Sequence, residues 1–339
     1  MLKEAMFYEK SDDNRVNCNL CSHRCKNIGE SQRGLCGVRE NIDGRLFSLV
    51  YGRLVACSVD PIEKKPLFHF FPGSLSYSIS TVGCNFRCDN CQNFDISQMP
   101  RERKAIIGTE TAPEAVVLAA KQNGCKSIAY TYTEPTIFFE YALDVAKLAK
   151  KEDLKNVFVT NGYITEEALQ EIAPYLDAAN IDLKSFTDDF YRNHCGARLQ
   201  PVLDSIKLHK KLGIWLELTT LVIPTLNDSE KELQQIATFI KDEVGPETPW
   251  HVSGFRPMYR LLDVGSTPVE TLQKARQIGL ETGLKYVYVG NVPGENGEST
   301  FCPKCEKKLI HRIGYRINEN SIETSRCPFC GTKIDGIFA

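Results

Sequence analysis

The sequence predicts an α/β fold, a barrel or partial barrel of parallel strands with a cysteine-rich segment before it and a zinc-ribbon-like hairpin after it. Three observations carry that prediction. Short apolar runs alternate with amphipathic stretches through the middle of the chain, the pattern of βα units and a parallel sheet. Eleven of the fourteen cysteines fall into three tight groups, one in each part of the chain. The central group directly follows the first predicted barrel strand.

The strands are expected at Tyr77–Val82, Ser127–Thr131, Val157–Thr160, Ala179–Ile181, Leu216–Leu221, His251–Phe255 and Tyr286–Val289. Helical stretches between them include Pro113–Lys121, with proline where a helix start favours it. Phe138–Lys151 is a second, and Glu166–Ala173, entered through Thr165 as N-cap, is a third. In such an architecture functional residues gather at the C-terminal ends of the strands. The cysteine groups divide the chain into residues 1–75, the barrel at 76–295 and a tail at 296–339.

A chain of 339 residues with 42% apolar and 25% charged residues can bury a sizeable core. Its net charge of −2 offers no basic excess to attract nucleic acid. No run of eighteen apolar residues predicts a membrane span. The start, Met1-Leu2-Lys3-Glu4-Ala5, lacks the apolar stretch of a signal peptide, so a cytoplasmic location is expected. In that setting clustered cysteines read as metal ligands and not as a disulfide framework.

Gly83-Cys84-Asn85-Phe86-Arg87-Cys88-Asp89-Asn90-Cys91 has the spacing C-x3-C-x2-C. Three cysteines are one short of the four that saturate a [4Fe–4S] cluster, which leaves one iron open to another ligand. Cys302-Pro303-Lys304-Cys305 and Cys327-Pro328-Phe329-Cys330 are paired knuckles that suit a closed structural zinc; rubredoxin-type iron uses the same geometry. Cys18, Cys21, Cys25 and Cys36 could hold a second [4Fe–4S] cluster or a zinc, with His23 able to replace one cysteine. Cys57, Cys125 and Cys195 read as small buried apolar residues, Cys195 standing out beside His194 and Arg198. The run Asp60-Pro61-Ile62-Glu63-Lys64-Lys65-Pro66 reads equally as a solvated loop or as a face of the barrel mouth.

These motifs resemble the radical SAM superfamily, and within it the enzymes that look like pyruvate formate-lyase-activating enzymes. The resemblance implies a partial (β/α)6-type barrel. It also implies reductive cleavage of S-adenosylmethionine by the cluster of Cys84, Cys88 and Cys91, giving a 5′-deoxyadenosyl radical that takes hydrogen from a substrate. Tyr132-Thr133-Glu134-Pro135 is similar to the family's glycine-glycine-glutamate-proline loop, with both glycines replaced, so that Glu134 would meet the methionyl ammonium. Thr160-Asn161-Gly162 and Asp182-Leu183-Lys184 match two further strand-end motifs, and the lysine would approach the methionyl carboxylate. Departures are Val159, where activating enzymes carry an aspartate for a monovalent cation, and Asn90, where they carry an aromatic residue. Phe255-Arg256-Pro257 replaces a histidine near the cofactor, so Arg256 is expected to take over part of its role. His251 reads equally as core or site.

A resemblance over nearly the whole chain rests on Cys91-Gln92-Asn93, Asp60 to Leu67, Gly290-Asn291-Val292-Pro293-Gly294 and the flanking cysteine groups. It is to the radical SAM member of the AmmeMemoRadiSam system, and it implies Memo-like and AMME-syndrome-like partner proteins. An electron donor is implied too. The alternatives are an activating enzyme that installs a glycyl radical on a partner, and a non-catalytic iron–sulfur electron-transfer protein. Glu134, Asn161 and Lys184 speak against the last, because electron transfer needs no cofactor-binding strand ends.

Overall fold

The computed structural model describes residues 2–292 and 296–338. Pro293 and Gly294 of the expected glycine-proline loop lie outside the described residues. The centre is an eight-stranded sheet of β1 (Ala56–Pro61), β2 (Leu75–Ser80), β3 (Ser127–Tyr130), β4 (Lys155–Thr160), β5 (Ala178–Asp182), β6 (Trp215–Val222), β7 (Trp250–Gly254) and β8 (Val287–Gly290), neighbours in that order. Strands β2 to β8 run parallel, and β1 pairs antiparallel with β2. Each expected strand falls on one of β2 to β8, with ends shifted by no more than two residues.

Six helices cross between the parallel strands: α1 (Pro113–Gln122), α2 (Phe139–Lys151), α3 (Glu166–Ile172), α4 (Leu199–Lys211), α5 (Glu230–Phe239) and α6 (Val269–Thr282). Helix α2 shows why the sequence folds this way. Phe139, Ala142, Leu143, Ala146 and Ala149 recur at helical spacing and are all buried against the sheet, while Lys150 and Lys151 sit in the last turn, where the helix dipole favours cations. Strand β3 is buried at every position, as expected of a parallel strand covered on both faces.

Two local expectations are corrected. Thr165 precedes α3, but its hydroxyl donates to the carbonyls of Asn19 and Leu20 (2.9 and 3.0 Å) and caps no helix N–H; it ties the N-terminal segment to the barrel instead. Cys57 is exposed, because it lies on the antiparallel edge strand, where alternate residues point to solvent.

The N-terminal segment is built from small antiparallel pieces, Tyr8–Lys10 on Val16–Cys18 and Arg39–Ile42 on Arg45–Ser48. Cys21 bridges to Ile164 just beyond β4. The tail forms a three-stranded sheet of Thr300–Phe301, Lys308–Ile313 and Arg316–Asn320. It packs on the barrel through one apolar cluster that includes Phe68, Tyr286, Tyr288, Leu309 and Ile310. Among the described residues no helix is long and apolar enough to cross a membrane.

Candidate active site

The loop Gly83–Cys91 leaves the C-terminal end of β2. Gly83 has φ +100°, and a Cβ there would stand 2.6 Å from Val38 Cγ1 and 3.2 Å from the Cys36 carbonyl, so only glycine lets the loop start against the N-terminal segment. The loop backbone is held at two points by the turn Tyr191–Cys195: Arg87 N–H donates to the Cys195 carbonyl (2.9 Å) and Asp89 N–H to that of His194 (3.0 Å). Arg101 clamps it from the other side, donating to the Phe86 carbonyl at 2.9 Å and to the carbonyls of Cys84 and Leu35.

Cys84 and Cys91 are partly exposed and Cys88 is buried. The Cys84 sulfur faces the Phe86 N–H at 3.3 Å and Asn161 Nδ2 at 3.8 Å, and the Cys91 sulfur lies 3.2 Å from Ser97 Oγ. Burial pushes the thiols of Cys84 and Cys91 up, so bound iron would be what deprotonates them. Cys88 differs. A hydrogen bond from Cys195 holds its thiol below the ordinary value, against the effect of burial. Cys195 is fully buried, and no sequence motif pointed to this contact.

Glu134, Asn161 and Lys184 come from the ends of β3, β4 and β5. Glu134 is 1% exposed. Its Oε1 accepts from Thr136 N–H (3.0 Å) and from the hydroxyls of Thr136 (2.6 Å) and Thr160 (2.7 Å); its Oε2 accepts from Asn161 N–H (2.8 Å). Oε1 is thereby saturated, and Oε2 keeps acceptor capacity for one more donor. Burial pushes this carboxyl up in spite of those bonds. Asn161 Nδ2 donates to Asn85 Oδ1 at 2.7 Å, which joins the β4 end to the cysteine loop. Lys184 Nζ pairs with Asp182 at 2.8 Å. Burial alone would lower Lys184, but Asp182, Cys88 and Cys195 hold it well above its ordinary value, so it is a fixed cation beside the cysteines.

Comparison with known proteins agrees with this geometry. The pattern of the radical SAM superfamily matches residues 78–239, the stretch that carries the cysteine loop and these strand ends. An uncharacterised protein of Methanocaldococcus jannaschii is 49% identical over 98% of this chain and 99% of its own length. This chain belongs to the radical SAM superfamily. It is also 26% identical to the pyruvate formate-lyase-activating enzyme of Clostridium pasteurianum, over 60% of this chain and 87% of that one. The crystal structure of a radical SAM methyltransferase from Sphaerobacter thermophilus shares the fold, with a TM-score of 0.51 at 14% identity over 85% of this chain and 76% of that one. Membership makes the protein a radical SAM enzyme and implies a [4Fe–4S] cluster and S-adenosylmethionine. The residues fit both groups. Three thiols share one loop, N–H donors face the Cys84 sulfur, and a lysine stands beside the cysteines to meet a carboxylate.

Along β6, β7 and β8 lies a cavity of about 730 Å³, within the range for small-molecule sites. Gln92, Thr219, Ser253 and Arg256 line it from the barrel, and Ile313, Gly314 and Tyr315 from the tip of the C-terminal hairpin. His251 is buried and still reaches this cavity. Its Nε2 bonds Glu217 at 2.7 Å and its ring stacks on Tyr288. Burial pushes the Glu217 carboxyl up, but His251 and His69 more than offset that and hold it below the usual range.

The charged run after Asp60 is no solvated loop. Asp60 is the penultimate residue of β1 and is 5% exposed, and Lys65 is 1% exposed. Asp60 accepts from Lys64 (2.8 Å), Lys65 (2.7 Å), Ser78 (2.8 Å) and the Tyr132 hydroxyl (2.5 Å). Burial opposes ionisation there, yet those donors pull the carboxyl well below its usual range. Tyr132 has φ +63°. Its bond to Asp60 helps hold that left-handed backbone. Glu63, Lys64 and Pro66 line the cavity.

The two flanking quartets differ in spacing. Cys302 and Cys330 stand 3.6 Å apart and Cys305 and Cys327 3.7 Å, all four sulfurs lying within 4.8 Å of one another. Zinc–sulfur bonds of about 2.3 Å in a tetrahedron require a separation of about 3.8 Å. The N-terminal Cys18, Cys21, Cys25 and Cys36 line one small cavity together with His23. Among the described residues only the C-terminal quartet reaches mononuclear spacing.

Proposed function

We propose that the protein cleaves S-adenosylmethionine at the cluster of Cys84, Cys88 and Cys91 and uses the resulting radical on a substrate held in the cavity under the hairpin tip. The observation that carries this is the convergence of Asn161 and Lys184, from successive strand ends, on the cysteine loop. When bound, the cluster and cofactor supply one-electron cleavage to methionine and a 5′-deoxyadenosyl radical. Lys184 would exchange Asp182 for the methionyl carboxylate. The remaining acceptor capacity of Glu134 Oε2 would take the methionyl ammonium, and Asn161 holds the cysteine loop to β4. Arg256 lines the cavity and would meet the nucleoside or the substrate. Cys302, Cys305, Cys327 and Cys330 would hold a structural zinc, and the N-terminal quartet a further metal centre. The chain would thus comprise a metal-binding segment to about residue 75, the barrel, and a zinc hairpin from about residue 296. The motif from Asp60 to Leu67 and Cys91-Gln92-Asn93 support membership of the AmmeMemoRadiSam system, with Memo-like and AMME-syndrome-like proteins and a one-electron donor as partners.

Protein reconstituted anaerobically with iron and sulfide should form 5′-deoxyadenosine from S-adenosylmethionine and dithionite. The Cys84→Ala, Cys88→Ala, Cys91→Ala variant should form none, and undiminished cleavage there defeats the reading. Glu134→Ala and Lys184→Ala should each weaken cofactor binding by about 1.5–3 kcal/mol with iron content unchanged. A second reading, an activating enzyme that installs a glycyl radical on a partner, is favoured by the similarity to pyruvate formate-lyase-activating enzyme. Product analysis with and without candidate partner proteins separates the two. A glycyl radical signal on a partner favours the second, and a modified small molecule the first.

A further inference from the structure

We infer that Cys18, Cys21, Cys25 and Cys36 hold a second [4Fe–4S] cluster, and that the guanidinium of Arg39 donates hydrogen bonds to its sulfurs. Arg39 lies on the wall of the cysteine-lined cavity and is 1% exposed. Its Nη2 pairs with Glu140 at 2.6 Å, and the other oxygen of Glu140 accepts from Met6 N–H at 2.7 Å. Nε and Nη1 have no partner among the described residues. A buried donor left unpaired costs about 1–3 kcal/mol, and more when charged. Two such donors on one guanidinium, beside four thiols, call for an anionic group with several acceptors.

A zinc tetrathiolate and an iron–sulfur cluster both supply sulfur acceptors, and spacing decides between them. One ion at the centre of four thiolates draws the sulfurs to about 3.8 Å. The C-terminal quartet has that geometry, whereas the ligand atoms of the N-terminal cysteines and His23 form no such group within 4.8 Å. Four irons and four sulfides need the wider arrangement. Inorganic sulfides would also lie between the thiolates, where the free N–H groups on Nε and Nη1 of Arg39 would find an acceptor. His23 Nε2 is engaged with the Asn85 carbonyl at 2.9 Å, and the four cysteines are assigned as the ligands. With every iron capped, this cluster has no open position and does not duplicate the central one.

The test uses the full chain. In the Cys84→Ala, Cys88→Ala, Cys91→Ala variant, anaerobic reconstitution with iron and sulfide should leave about four irons and about four acid-labile sulfides per chain. Dithionite should then produce the electron paramagnetic resonance signal of a reduced [4Fe–4S] centre. A colourless protein with two zinc ions and no sulfide overturns the inference. A complementary Cys21→Ala, Cys36→Ala variant covers the case in which the triple variant does not fold. There iron should fall from about eight to about four per chain while the central signal still responds to S-adenosylmethionine, and retention of all eight contradicts the assignment. Arg39→Lys keeps a cation for Glu140 but loses the forked donors. In the central triple variant it should shift the remaining cluster to a lower potential, and an unchanged potential removes Arg39 from the site. The central reading fails separately, if the wild type cleaves no S-adenosylmethionine whatever the iron count.

Discussion

The two cysteine quartets that flank the barrel contain the same four thiols and are held in opposite ways. The C-terminal four sit on two turns of one hairpin, and their sulfurs already stand at the separation one ion requires. The N-terminal four are spread along a loop, line a cavity, and share it with a buried arginine. Their attachments to the barrel differ as well. The hairpin docks through an apolar cluster and Arg312, which donates to the Phe68 carbonyl at 2.7 Å and lies over the Phe68 ring. The N-terminal loop touches the central cysteine loop itself, through His23, Arg101 and the close approach at Gly83. The comparison teaches that ligand count does not determine what a thiolate site does. Sulfur spacing sets the nuclearity, and the contact with the central loop sets whether the site can influence chemistry.

The largest expected effect lies on the C-terminal side. Cys302→Ser with Cys327→Ser should cost about 4–5 kcal/mol or more of stability, as loss of a structural metal does. Calorimetry should show it, while the iron content of the rest of the protein is unchanged. Loss of central iron in that variant would break the contrast between the quartets.

The seam that docks the hairpin should weaken in acid. His69 is buried, and its Nδ1 meets the Asp335 carbonyl at 2.6 Å, so Nδ1 carries the proton and Nε2 accepts from the Tyr288 hydroxyl at 2.5 Å. Burial holds its pKa down at about 4. The neutral ring's stabilisation is therefore full above the ordinary histidine value near 6.5 and is lost as the pH falls toward 4. The loss amounts to about 3 kcal/mol. Urea unfolding at pH 7 and pH 4 should show a smaller difference for His69→Gln than for the wild type, since protonation of the thiolates acts on both proteins alike. Equal differences would remove His69 from the seam.

On the N-terminal side, Arg101→Ala removes the bridge between the Leu35 carbonyl and the carbonyls of Cys84 and Phe86. It should destabilise by about 2 kcal/mol and also change the resonance signal of the central cluster. An unaltered signal would mean that the two loops are coupled by packing alone. The smallest effect is expected for Tyr132→Phe, which loses one hydrogen bond to Asp60 and should cost about 1 kcal/mol in chemical denaturation.

Much of the fold was legible because a parallel barrel writes its strands as short apolar runs bounded by turns. The central motif was legible because its three ligands fall within eight residues of continuous chain. The charged run after Asp60 stayed open between two readings because the partners that decide it, Ser78 on β2 and Tyr132 just beyond β3, are distant along the chain. Cys195 was noticed only as a cysteine set apart, and nothing near it in the chain announces Cys88. Arg39 carried no signal at all, since its significance depends on Glu140, a hundred residues away in sequence.

What the sequence determined by itself is therefore what local chain encodes: strand and helix order, the three-cysteine loop with its missing fourth ligand, and the paired knuckles at the C-terminus. The tertiary structure alone decided which polar groups are buried together. It placed Lys184 beside Cys88, closed the cavity with the hairpin tip, and left two donors of Arg39 facing four thiols. The physical reason is that hydrogen bonding and desolvation act over a few ångströms of space, and folding brings into that range residues whose separation along the chain carries no periodicity to read.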